Sequence, residues 1–250
     1  MSSKLNVRVK SALIMFAVVA GVGVLDIKFL TWLFLGGVGY FAFLEALKLW
    51  GAKRSDSSLI ILAIVWVLAY LLNEPTNALF LLLLVMAAKM AYDKSVESKL
   101  FLPLLYPIAS FLFIWSLYVK IGMVALVWLL LIVSLSDIGA YYGGKKFGRH
   151  QFSPTSPNKT LEGVFSGIGL ATIVGAIVIA GSSKILFIPA ILISLLVATA
   201  AVFGDLFESY LKREAGVKDS GDIIPGHGGV LDRIDGYLFA AVMLSVLLNL

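Results

Sequence analysis

Seven of the chain's 15 acidic residues fall in one stretch, GDLFESYLKREAGVKDSGDIIPGHGGVLDRIDGY, Gly204 to Tyr237. Asp205, Glu208, Glu214, Asp219, Asp222, Asp232 and Asp235 share it with Lys212, Arg213, Lys218, Arg233 and His227, one of only two histidines. Asp205 closes one apolar run and Asp232 opens the next, so two carboxylates stand at expected helix ends. Such carboxylates suit a hard divalent cation. Mg2+ takes oxygen ligands and is commonly held by one or two carboxylates together with substrate phosphates. The neighbouring Lys and Arg side chains suit a triphosphate. On a helix, Asp232 and Asp235 are three residues apart and share a face, while Arg233 points elsewhere. Gly226, Gly228 and Gly229 allow close backbone approach just before that helix, and His227 among them is exposed to whatever binds there. A solvated, salt-bridged loop is the plainer reading of a charge run. Here the acids stand at helix ends rather than in mid-loop, which favours a site. Glu214 and Asp222 are read as structural.

A second polar stretch, SLSDIGAYYGGKKFGRHQFSPTSPNKTLEG, runs from Ser134 to Gly163. Asp137 falls inside an apolar run or at its end, where an ionisable side chain is costly and usually faces a partner or a watery cavity. Gly139 and Gly144-Lys145 imitate a P-loop. The match fails because Lys146 stands where Ser or Thr should hold Mg2+, and because an apolar helix rather than a strand precedes it. SPNKT leads into a helix that Asn158 or Thr160 can cap. The helix start then offers N–H groups and a positive dipole end to phosphate, with Lys159 as an added point charge. Two of Lys145, Lys146 and Arg149 are read as membrane-side anchors, and Glu162 as structural.

The elements that must position these residues are apolar. The 250 residues are 60% hydrophobic and 14% charged, with mean hydropathy +0.98. A soluble domain carries about 25% charged residues, so the expected fold is an all-α integral membrane protein. There is no cysteine, hence no disulfide, thiolate nucleophile or Cys-based zinc site. Spans of the required length are expected at about 11–27, 29–48, 57–73, 76–92, 100–119, 121–142, 162–181, 185–206 and 231–250, a bundle of about nine helices. The basic N-terminal residues read as the start of the first helix rather than as a signal peptide, since no A-x-A-like cleavage site follows. Alternating the connections assigns 17 of the 20 Lys and Arg residues to one side and only Lys28, Lys120 and Lys184 to the other. Basic residues accumulate on the cytoplasmic side, which predicts a cytoplasmic N-terminus and a C-terminus outside the cytoplasm. The two long connections, about 143–161 and 207–230, then face the cytosol. Residues 1–130 are expected to form a scaffold of membrane helices for lipid contact and dimerisation, and 131–250 the catalytic region.

The order Ser209-x-Leu211-Lys212-Arg213, four residues, Lys218-Asp219-x-Gly221, then Pro225-x-His227-Gly228-Gly229-x-x-Asp232-Arg233-x-Asp235 resembles the signature of the phosphatidate cytidylyltransferase (CDP-diacylglycerol synthase) family without a gap over 27 positions. SDIGAYYGGKKFG, SPNKTLEG and GDLFES are similar to other blocks of that family, so the resemblance covers roughly 134–240. Ser136 and Ile138 depart from its usual residues around Asp137. The resemblance implies the reaction of CTP with phosphatidate to give CDP-diacylglycerol and pyrophosphate for phospholipid biosynthesis. It also implies a homodimer of nine-helix chains that needs Mg2+, with K+ nearby in some members. Asp205 and Asp232 correspond to its metal-binding acids. Ser209, Lys212, Arg213, Lys218, Asp219, His227 and Arg233 correspond to signature residues around nucleotide and phosphate. Gly228, Gly229, Asp137 and Lys159 are expected to join them at the phosphates, and Asp235 to support Asp232.

An anionic lipid headgroup at the membrane surface and a cytosolic nucleotide would both reach such a site, in the cytoplasmic leaflet of the cell membrane; nucleic acid is not an expected partner. Three other readings weigh less. A CTP-dependent polyprenol or dolichol kinase, or an archaeal-type CDP-lipid synthase, meets the ungapped signature. An ion-coupled transporter would place its carboxylates near the midplane between repeats, whereas these gather at one face. A scaffold leaves the acidic cluster without a purpose.

Overall fold

The computed structural model describes residues 2–93 and 98–249. Among them the chain is helical apart from one short hairpin. In order, the elements are α1 (Ser2–Leu25), α2 (Lys28–Leu49), α3 (Asp56–Leu71), α4 (Asn77–Asp93), α5 (Phe101–Ile121), α6 (Met123–Phe147), β1 (Gln151–Ser153), β2 (Ser156–Thr160), α7 (Leu161–Ser182), α8 (Phe187–Glu214) and α9 (Leu231–Leu247). Among the described residues each apolar run became a helix, and the breaks at 26–27, 50–55, 72–76, 122 and 183–186 became connections. α5 is interrupted at Tyr106 (φ −135°, ψ 110°), as expected for a residue that Pro107 pushes out of the α region.

Six helices in the described residues are long and apolar enough to cross a membrane: Val7–Leu25 within α1, then α2, α5, α6, α7 and α8. The chain is thus a multi-pass helical membrane protein. α3, with 16 residues, falls just below the roughly 17–25 residues of a spanning helix, and α4 and α9, with 17 each, stand at its lower limit.

The chain forms two compact units, Met1–Ser116 with Glu214–Arg233, and Leu117–Arg213 with Ile234–Leu250. In the first, aromatic residues join the helices. Trp32 of α2 donates its indole N–H to the Trp66 carbonyl at 2.9 Å, and Trp66 of α3 returns the bond to the Trp32 carbonyl at 3.2 Å. The fully buried Trp115 donates to the Ala69 carbonyl at 2.9 Å. Indole rings give these apolar helices large contact areas, and each N–H finds a partner.

In the second unit α6 and α7 pack through glycine. A Cβ on Gly139 would lie 2.8 Å from the Gly167 Cα, and one on Gly163 would lie 2.7 Å from the Ala140 carbonyl oxygen. Helices in an apolar solvent associate where small residues let backbones approach closely, and the Gly163–Gly167 spacing does this against Gly139 and Ala140. The loop anticipated at 143–161 is in fact helix as far as Phe147, followed by the antiparallel hairpin, in which Gln151 pairs with Thr160 and Ser153 with Ser156. Thr160 ends the hairpin and caps α7, its Oγ1 accepting the Gly163 N–H at 3.2 Å. Glu162, in the first turn, accepts the backbone N–H groups of Arg149 and His150 at 3.0 and 3.2 Å. It also contacts His150 Nδ1 at 2.6 Å.

Candidate active site

Within the first unit, the connection from α8 to α9 is shaped by Pro225-Gly226. Proline presets the first central position of a turn, and a glycine at positive φ fits the second of a type II turn. Gly226 has φ 78°, and the His227 N–H donates to the Ile224 carbonyl at 2.9 Å. The Ile224 N–H closes the loop on the Gly228 carbonyl, also at 2.9 Å. Gly228 has φ 87°, and a Cβ there would stand 2.7 Å from Asp232 Oδ2. Glycine is therefore required twice over at that position, by backbone conformation and by the carboxylate beside it.

Asp232 is the second residue of α9. Its Oδ2 accepts the Ser220 N–H at 2.9 Å, the Ser220 hydroxyl at 2.9 Å and the Gly229 N–H at 2.8 Å. Its charge also stands in the first helical turn, where the backbone dipole favours an anion. The loop curves round a cavity of about 600 Å3 whose wall includes Arg8 of α1, Lys218, Asp219, Asp222, His227 and Arg233. Three basic side chains face two carboxylates there, a mixture suited to a polyphosphate. His227 Nδ1 is buried without a hydrogen-bond partner among the described residues.

Within the second unit, Lys159 on β2 forms an ion pair with Asp205 on α8, and Ser209, one turn on, places its Oγ 3.4 Å from Asp205 Oδ1. Both side chains of the pair are about a quarter exposed. One turn further, Lys212 pairs with Glu208. Glu208 is fully buried, and the N-terminal Glu, C-terminal Lys order is the favourable one on a helix. Arg213 follows in the last turn, so the connection expected at 207–230 is helix as far as Glu214, and Asp205 lies nine residues inside α8 rather than at its end. Asp137 stands within α6, ten residues before its end. Asp235 Oδ1 accepts the Gly236 N–H at 2.8 Å, and the next residue, Tyr237, bonds Ser134 of α6 through its hydroxyl at 2.9 Å. A Cβ on Gly204 would lie 2.6 Å from the Asp235 carbonyl oxygen, so α8 and α9 touch beside Asp205.

Two residues of the first unit were not singled out from the sequence as site residues. Arg8 was counted only among the 17 basic residues assigned to one side. Glu45, 1% exposed on α2, accepts the N–H groups of Val230 and Leu231 at 3.0 and 2.8 Å and the Ser220 hydroxyl at 3.2 Å. Its signal was available: it is the only acid of a mainly apolar 22-residue helix.

Fold and site together define a polytopic helical membrane protein with charged residues gathered at a glycine-turned helix start. Across residues 6–250 the sequence matches the cytidylyltransferase family, and the chain belongs to it. It is 48% identical over 223 residues to the phosphatidate cytidylyltransferase of Helicobacter pylori strain J99, covering 89% of this chain and 84% of the relative. To the protein of that name from Bacillus subtilis strain 168 it is 41% identical over 131 residues, 52% of this chain and 49% of the relative. To that of Synechocystis it is 47% identical over 110 residues, 42% and 36% of the two chains.

Proposed function

We propose that this protein transfers the CMP group of CTP to phosphatidate, giving CDP-diacylglycerol and pyrophosphate. The observation that carries this reading is the 48% identity, over 89% of the chain, to a phosphatidate cytidylyltransferase. The cavity chemistry agrees with it. A phosphatidate phosphate oxygen attacks the α-phosphorus of CTP in line, and the bond from that phosphorus to the β-phosphate bridging oxygen breaks as pyrophosphate leaves. The nucleophile is already ionised, so no strong general base is needed. The work of the chain is positioning and charge stabilisation. Lys218, Arg233 and Arg8 offer cationic groups to the triphosphate, with Lys159 and Arg213 as further candidates. His227 orients phosphate rather than taking a proton. Gly228 and Gly229 let phosphate oxygens approach the backbone.

Asp205 and Asp232 are the proposed ligands of Mg2+. The donor set fits a hard cation: both are carboxylates, and Asp205 already keeps a Lys ammonium against it. No group of three or more metal-ligating side chains occurs among the described residues. Phosphate and water oxygens would complete the ligand set, as is usual for Mg2+. Bound there, Mg2+ supplies charge neutralisation on the phosphate oxygens. A nearby K+ belongs to the same proposal, as does a homodimer. We further propose that all nine helices cross the cytoplasmic membrane, with the N-terminus and the site on the cytosolic face; the asymmetry of 17 against three basic residues supports this.

The test supplies purified protein with labelled CTP, phosphatidate and Mg2+. Label is expected in the organic phase; label that remains aqueous overturns the assignment.

A further inference from the structure

A carboxylate withdrawn from water must find donors, and an ionisable side chain within an apolar helix usually marks function. Glu45 meets both conditions. Its Oε1 takes the Val230 N–H, and its Oε2 takes the Leu231 N–H and the Ser220 hydroxyl. Leu231 is the first residue of α9. The first N–H groups of a helix have no partner within it, so Glu45 caps α9 from a residue 186 positions away in sequence. Ser220 Oγ lies 3.2 Å from Glu45 Oε2 and 2.9 Å from Asp232 Oδ2. One hydroxyl thus stands between two carboxylates. A Cβ on Gly221 would collide with Glu45 Oε1, and one on Gly229 would lie 2.6 Å from Oε2. These two loop glycines leave the space that the Glu45 carboxylate fills.

We infer that Glu45 is a positioning residue for nucleotidyl transfer: through Ser220 and the Gly229–Leu231 backbone it holds Asp232 and the adjoining cavity wall in place. This deepens the function proposed above and rests on it. Glu45→Gln keeps the volume but turns an N–H donor toward one of two backbone N–H groups. Ser220→Ala removes only the bridge.

The experiment compares the parent protein, both single variants and the double variant, all full-length and membrane-reconstituted. Hydrogen exchange over residues 229–232 reads position without any turnover. Glu45→Gln is expected to speed it by about tenfold, and parental exchange overturns the inference. In the turnover assay kcat is expected to fall by about tenfold with the CTP KM within about threefold. The double variant is expected to lose no more than the worse single variant, because both changes act on one bridge. Losses that multiply, or a Glu45→Gln kcat within about threefold of the parent, overturn it. If Glu45→Gln does not fold, Ser220→Ala alone decides: slower turnover with faster exchange supports the inference, and parental values of both overturn it. A parent that makes no CDP-diacylglycerol refutes the proposed reaction, and the exchange measurement still decides whether Glu45 holds the loop.

Discussion

Asp232 receives three donors on one oxygen, and that fixes its orientation more firmly than any rotamer preference could. Replacing it by Asn puts an amide among those donors and removes the charge proposed to face the cation. Asp232→Asn and Asp205→Asn are each expected to lower turnover by at least about 100-fold, while the protein still inserts and folds; the radiolabel assay and thermal unfolding in detergent check both halves. Near-parental turnover would remove that residue from the proposed metal site. Gly228→Ala tests the loop differently. It places a Cβ at a left-handed φ and 2.7 Å from Asp232 Oδ2, so a stability loss of about 1–3 kcal/mol should accompany reduced turnover. An alanine protein as stable as the parent would show that the loop relaxes freely.

At the level of elements, the hairpin and the α6–α7 pair carry Lys159 to Asp205. The contact depends on two small things, a threonine cap and a glycine seam. Thr160→Ala removes the acceptor for the Gly163 N–H and should cost about 1 kcal/mol, read as a lower thermal midpoint. Gly167→Val drives a branched side chain into the α6 backbone, where even a Cβ would meet the Ala140 N–H at 2.9 Å. Overpacking of about 1–3 kcal/mol is expected, with a loss of turnover because the hairpin moves with α7. Unchanged unfolding in Gly167→Val would mean that the two helices separate without consequence.

For the whole molecule, the proposed membrane arrangement predicts that a reporter fused after the last residue is active only outside the cytoplasm, and a cytoplasmic C-terminus would refute nine crossings. Chelation of divalent cations should abolish turnover reversibly, with Mg2+ restoring it; turnover that survives chelation removes the cation from the reaction. Most helices were legible in the sequence, because apolar runs broken by Gly, Pro and charge are local properties of the chain. So was the glycine-rich approach to α9 and the choice of Thr160 as one of two possible caps. The hairpin at 151–160 was not, since five- and three-residue strands leave no usable period. The candidate site was legible as a concentration of charge, but the pairing of its atoms was not.

From residue order alone follow the apolar helices, the family signature and the crowding of acids around Asp205 and Asp232. Each is carried by the order of residues along a continuous stretch of chain. Only the tertiary structure decided that Glu45 closes on Val230 and Leu231, that Ser220 bridges it to Asp232, and that Lys159 meets Asp205. Those partners stand 46 to 186 positions apart along the chain, apart from the Ser220–Asp232 step. A buried carboxylate takes whichever donors packing brings to it, and packing is a property of helix faces in contact.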